Sequence, residues 1–200
     1  MLKVWEVEIP PIRFILEVIM VIIIEGLDRT GKTTLANKIS ERYNIPIYKK
    51  DREDFPFVTL RDNELINLGD SIATIKLFNS DVFKEKNVIL DRFHWSEYVF
   101  NVIDRGGYLR TEYVDIVSRE INKNANNYFI IHMHPTDIKR SAKEDGRPIS
   151  LFSRYYDKFC FIQKRSEKMY PNIRVYNTYY GGIDKTCDMI GDLIKMEESV

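Results

Sequence analysis

One run near the start of the chain constrains the fold more than any other. Val21-Ile22-Ile23-Ile24-Glu25-Gly26-Leu27-Asp28-Arg29-Thr30-Gly31-Lys32-Thr33-Thr34 reads as a buried parallel strand that breaks into a glycine-bounded turn and restarts as a helix. Leu35-Ala36-Asn37-Lys38-Ile39 continues the helical spacing. In that geometry the amide N–H groups of the turn and the positive end of the helix converge on one point, which suits the phosphates of a nucleotide. Lys32 adds a mobile cation and Thr33 a hydroxyl fitted to Mg²⁺, so both are expected at a catalytic phosphate site. Gly26, Asp28, Arg29, Thr30, Gly31, Lys32, Thr33 and Thr34 are the residues expected around that nucleotide. A ligand-free glycine turn is the competing reading, and the flanking strand and helix disfavour it.

Beyond that run, short aliphatic segments alternate with longer amphipathic ones, the pattern of a doubly wound α/β sheet covered by helices on both faces. Strands are expected at 20–25, 45–49, 87–91, 127–133 and 173–177, and helices at 32–43, 61–79, 95–104, 111–124, 136–143, 150–169 and 183–195. Two hundred residues with 44% hydrophobic content support one such domain with a small lid. Thirty basic residues balance thirty acidic ones, which removes the net field that polymeric nucleic acid or an anionic membrane would need. Small-molecule partners fit better. Cys160 and Cys187 have no metal or redox spacing and read as reduced thiols of a cytoplasmic protein.

The apolar stretch 15–24 is interrupted by Glu17 and is far shorter than a membrane span. Residues 1–19 also lack the layout of a secretion signal. Leu16-Glu17-Val18-Ile19-Met20 back-translates to a purine-rich run directly before a Met codon, so 1–19 is expected to be an extension from an upstream start, with the domain spanning 20–200. An added strand or arm hinged at Pro10-Pro11 is the alternative.

A second apolar strand, Asn87-Val88-Ile89-Leu90, ends in Asp91-Arg92. Asp91 falls where a phosphate-loop enzyme needs a carboxylate for Mg²⁺, and Arg92 would aim a bidentate fork at a second phosphate. A structural ion pair is the bland reading. The loop upstream favours the catalytic one. The charge run 49–54 after the second strand should also lie at the ligand crevice, beyond the carboxyl ends of the strands.

With both motifs in view, the chain resembles thymidylate kinase and its relatives among the P-loop nucleoside monophosphate kinases. Glu25-Gly26-Leu27-Asp28-Arg29-Thr30-Gly31-Lys32-Thr33-Thr34 is similar to that family's phosphate loop, and Asp91-Arg92-Phe93-His94-Trp95-Ser96 to its D-R-[YF]-x-x-S motif. Arg154-Tyr155-Tyr156-Asp157-Lys158-Phe159 resembles the helix that follows its lid. The resemblance implies a five-stranded parallel sheet in the order 2-3-1-4-5 and transfer of phosphate from ATP to a deoxynucleoside monophosphate such as dTMP. It also implies that Asp28 approaches the acceptor, Arg92 holds its phosphate, Ser96 lies near base or phosphate, and Arg29 acts as an internal cation on the transferring group. Arg140, ahead of a lid at about 140–152, would stack on adenine, Lys143 and Arg147 would belong to that lid, and Asn177 would lie near adenine. A homodimer is compatible with the resemblance.

Three departures concern the acceptor. The family's arginine on the helix before the Asp-Arg strand is missing from Leu77-Phe78-Asn79-Ser80-Asp81-Val82, although Phe78 retains a ring able to stack on a base. Val58 stands where an arginine after Phe-Pro is usual, leaving Arg61 or Arg52 as substitutes. The segment from Pro56 to Asp91 is also short. Two rival functions therefore stand beside the first: a deoxynucleoside kinase using Asp51 or Glu53 as base, and a nucleotide-binding regulator without turnover. His132-Met133-His134 could set two imidazoles on one side of a strand, but no further metal ligands are evident.

Overall fold

The computed structural model describes residues 20–48, 60–80, 87–104 and 109–198, with side chains at 60–67 and 197–198 excepted. The leading segment 1–19, the charge run 49–54 with Asp51, Arg52 and Glu53, the Phe55–Val58 stretch and the side chain of Arg61 lie outside it. Five strands form one parallel sheet in the order β2-β3-β1-β4-β5. They are β1 (Met20–Gly26), β2 (Ile47–Tyr48), β3 (Asn87–Asp91), β4 (Tyr128–His134) and β5 (Arg174–Tyr179). The helices are α1 (Lys32–Tyr43), α2 (Leu60–Phe78), α3 (His94–Asp104), α4 (Thr111–Lys123), α5 (Ile138–Asp145), α6 (Ile149–Met169) and α7 (Ile183–Glu198). No described helix is long and apolar enough to cross a membrane.

The central strand explains the layers. All seven residues of β1 are buried, because helices cover both of its faces. Side chains alternate along it: Val21 and Ile23 enter one core with α3, α4 and α6, while Met20, Ile22 and Ile24 enter the other with α1 and α7. At roughly 2 kcal/mol per buried aliphatic side chain, those five supply about 10 kcal/mol of gross burial free energy, set against the entropy of ordering the chain. β1 pairs β3 from Met20↔Asn87 to Ile24↔Asp91 and β4 from Val21↔Tyr128 to Gly26↔Met133. This register brings the loop after Gly26 and the end of β3 to the same edge of the sheet.

The expected lid is mostly helix. Asp137 caps α5 by accepting from the Lys139 N–H at 2.8 Å, and only Gly146, Arg147 and Pro148 separate α5 from α6. Thus 140–152 is two helix ends around a tight corner.

Candidate active site

Gly26 ends β1 at φ +134°, and a Cβ added there would stand 2.4 Å from the Met133 carbonyl oxygen of β4. Only glycine lets the loop leave the sheet at this point. Arg29 takes a left-handed backbone at φ 60°, and Gly31 at φ 91° leads into α1, its carbonyl accepting from the Leu35 N–H at 2.9 Å. The first turn of α1 carries no acidic residue, so its free N–H groups face a cleft of about 490 Å³.

That cleft is lined by Arg29, Gly31, Lys32, Thr33, Arg92 and Arg140, among others. Lys32 is buried, and its Nζ donates to the Leu27 carbonyl. Burial, with Arg92 nearby, pushes this ammonium down to about 7. An incoming polyphosphate would reverse that shift by supplying the missing counter-charge. Thr33 Oγ1 donates to Asp91 Oδ2 at 2.9 Å, so hydroxyl and carboxylate already touch across two elements. An oxygen pair of this kind fits a hard divalent cation, and Thr33 and Asp91 are the residues that would hold Mg²⁺.

Across the cleft, Arg92 departs from β3 at φ 76° with its N–H on the Ile24 carbonyl at 3.0 Å. Its guanidinium pairs with Asp28 and lies 5.0 Å from the centre of the Phe100 ring. Burial would raise the Asp28 carboxyl, but Arg92, Lys32 and Arg147 together hold it below the usual range. Arg147 turns inward from the α5–α6 corner. It lies 3.9 Å from Asp28, 3.7 Å from Asp104 and 3.1 Å from Asp145, and donates to the Tyr155 hydroxyl at 3.1 Å. Tyr155 in turn donates to Asp104. Arg29 reaches Asp145 at 3.6 Å while remaining mostly exposed. Arg29 of the loop and Arg147 of the α5–α6 corner thus already bear on one carboxylate cluster.

Several expected residues are placed differently. Ser96 is buried, its hydroxyl donating to Glu25 rather than facing the crevice. Phe78 is 3% exposed within the core, edge-on to Tyr48 at 6.2 Å, so in this conformation its ring offers no face to a base. Asn177 Oδ1 meets His134 Nε2 at 2.8 Å, whereas the residue of that region lining the cleft is Tyr180. Arg140 does line it, paired to Glu144 at 2.7 Å one turn on; Lys143 is exposed and does not. His132 and His134 direct their ring nitrogens to Gln163, Tyr156 and Asn177.

Tyr180 was missed by sequence reasoning, although the Gly181-Gly182 pair beyond it marks a turn after the last strand. Its ring lies so close to Gly31 that a Cβ there would stand 2.6 Å from Cδ2. Together Arg140 and Tyr180 give the cleft mouth a cation and an aromatic face.

No protein-family model matches the chain, and no curated protein matches it in sequence. Solved structures do. The YorR protein of Bacillus subtilis, in complex with phosphorylated GDP, superposes with a TM-score of 0.68 at 16% identity, over 90% of this chain and 99% of that one. Thymidylate kinase from Candida albicans gives 0.57 at 16% identity, over 90% and 92%. Deoxyadenosine kinase from M. mycoides, with dCMP and a flexible dCDP bound, gives 0.56 at 16% identity, over 88% and 100%. At such identities the likeness concerns architecture. The chain has the fold of the P-loop nucleoside monophosphate kinases and their relatives, with the same sheet order.

Proposed function

We propose that the protein phosphorylates a deoxynucleoside monophosphate from ATP with Mg²⁺. Arg92 carries the reading: it brings a guanidinium to the cleft of the phosphate loop across from Lys32, and a free nucleoside would bring no phosphate to exchange for its Asp28 partner. Structural likeness to nucleotide kinases supports the same class.

In this reading the loop N–H groups and Lys32 hold the donor's β- and γ-phosphates, Arg140 and Tyr180 flank its base, and Arg92 fixes the acceptor phosphate in line. An acceptor oxygen forms a bond to the γ-phosphorus as the bond to the β–γ bridging oxygen breaks, and that electron pair leaves with ADP. The acceptor's second pKa is near 6, so it arrives largely ionised and needs no protein base. Arg29 faces the equatorial oxygens, where charge accumulates in a loose transition state. Thr33 and Asp91 would hold Mg²⁺, whose chemistry there would be neutralisation of the donor's phosphate charge.

ADP release measured with each deoxynucleoside and each monophosphate tests this, in the wild type and in Arg92→Ala. Losing a desolvated charge-assisted contact should cost about 3 kcal/mol, roughly a hundredfold in kcat/KM for the best monophosphate, with ATP affinity unchanged. Arg92→Lys keeps the charge but loses the fork and should recover little. Turnover of nucleosides alone would transfer the reading to a deoxynucleoside kinase. An unaffected Arg92→Ala would remove its basis.

A further inference from the structure

Glu25 is a carboxylate in a strand otherwise made of aliphatics, and none of its surface is exposed. An ionisable group in the middle of a sheet requires partners, and Glu25 has four donors. Oε1 accepts from the backbone N–H of Phe93 at 3.1 Å and of Trp95 at 2.9 Å. Oε2 accepts from the N–H of Ser96 at 3.1 Å and from the Ser96 hydroxyl. Three of these donors are N–H groups at the start of α3, where a helix has no carbonyls of its own to offer. Helices usually satisfy them from the residue just before the helix. Here that residue is Phe93, whose side chain accepts nothing, and the cap comes instead from the strand that bears the phosphate loop.

The consequence falls on Arg92. Its own N–H is tied to Ile24, and the next N–H in the chain, that of Phe93, is tied to Glu25. Consecutive residues of β1 thus clamp consecutive residues of the β3–α3 turn, on either side of a non-glycine residue at φ 76°. That backbone is costly for an arginine and persists only where its surroundings dictate it. We propose that Glu25 is the positioning residue of the acceptor side: by capping α3 from the root of the phosphate loop, it fixes where the Arg92 fork stands relative to Lys32. The carboxylate is the suitable group because every neighbour it meets is a donor. A glutamine would turn an NH₂ toward N–H groups, and an aliphatic would leave four donors unmet.

The inference rests on the monophosphate reading only for its kinetic arm. Glu25→Gln should keep a cooperative melt and ATP binding within about twofold of wild type, while KM for the acceptor monophosphate rises at least about tenfold. In the unliganded protein the Arg92 backbone and Nε–H resonances should shift, whatever the enzyme does. Ser96→Ala removes one donor and leaves three, so it should move the same quantities in the same direction by less; if Glu25→Gln fails to fold, this variant decides. A purely structural role would lower the melting temperature with the Arg92 resonances and acceptor KM unmoved, or would weaken both substrates equally. Either result overturns the proposal. If the wild type turns over no monophosphate, the proposed reaction fails separately, and the Arg92 resonances alone decide the role of Glu25.

Discussion

Replacing Gly26 by alanine tests the geometry of the phosphate loop directly. Two costs add. An L residue at φ +134° lies outside every region it ordinarily adopts, a strain of about 1–3 kcal/mol. The new Cβ would also stand 2.4 Å from the Met133 carbonyl oxygen, nearly 1 Å inside contact distance, and that oxygen belongs to the backbone of a central strand. Overpacking against so rigid a neighbour costs about 1–3 kcal/mol more. The expected total is about 4 kcal/mol, or roughly 10 °C in melting temperature for a domain of this size. Urea unfolding followed by far-UV circular dichroism measures it. Gly69→Ala is the control, because that glycine lies within α2 with no atom inside 4 Å of its added Cβ. It should gain about 0.5–1 kcal/mol. A Gly26→Ala protein within about 1 kcal/mol of wild type, at an unchanged m value, would refute the argument.

Lys32→Ala should lower turnover by about three orders of magnitude while leaving a cooperative melt, since the ammonium supplies charge rather than core packing. Near-normal turnover in the folded variant would defeat the phosphate-loop mechanism. Tyr180→Ala removes the aromatic face beside Gly31, so ATP affinity should fall about tenfold with the acceptor KM unchanged, as read by titration calorimetry and initial rates. Burial pushes the His94 imidazole down to about 3 and His132 down to about 4, so the stability they contribute above about pH 6.5 is lost as acid approaches those values. Their ring-carbon NMR signals should stay fixed between about pH 8 and about pH 5, and titration of either near pH 6.5 would contradict this.

What the sequence made legible was local. The strand–loop–helix of residues 20–43 and the Asp-Arg end of β3 follow from contiguous patterns, and expected and observed boundaries differ mostly by one or two residues. The C-terminal end of α7 is the exception, reaching Glu198 where 195 was expected. Sheet order is a long-range property, and the expectation of it came from resemblance rather than periodicity. The pairings of the named site residues were not legible, because their partners lie far away in the chain. Arg92 meets Asp28 across 64 residues and Ser96 meets Glu25 across 71, and no spacing rule announces either pair. Phe78 shows the opposite difficulty. A ring near a motif looks available for stacking, yet the nearby Tyr48 and the adjoining core enclose it. Tyr180 lies beyond the last strand in a glycine turn, where no periodicity marks a side chain as facing the cleft.

Asp28 stands between Arg92 and Arg147, and so acts as an internal competitor for the anion that the pair would receive. A tethered carboxylate presents itself at an effective concentration in the millimolar range or above, whatever the solution contains. Inorganic phosphate or sulfate, arriving with nothing but its charge, has to displace that resident group and gains little by doing so. A nucleotide carries a sugar and a base whose further contacts tip the exchange. On the proposed function, discrimination against small inorganic anions would in this way be built into the free protein.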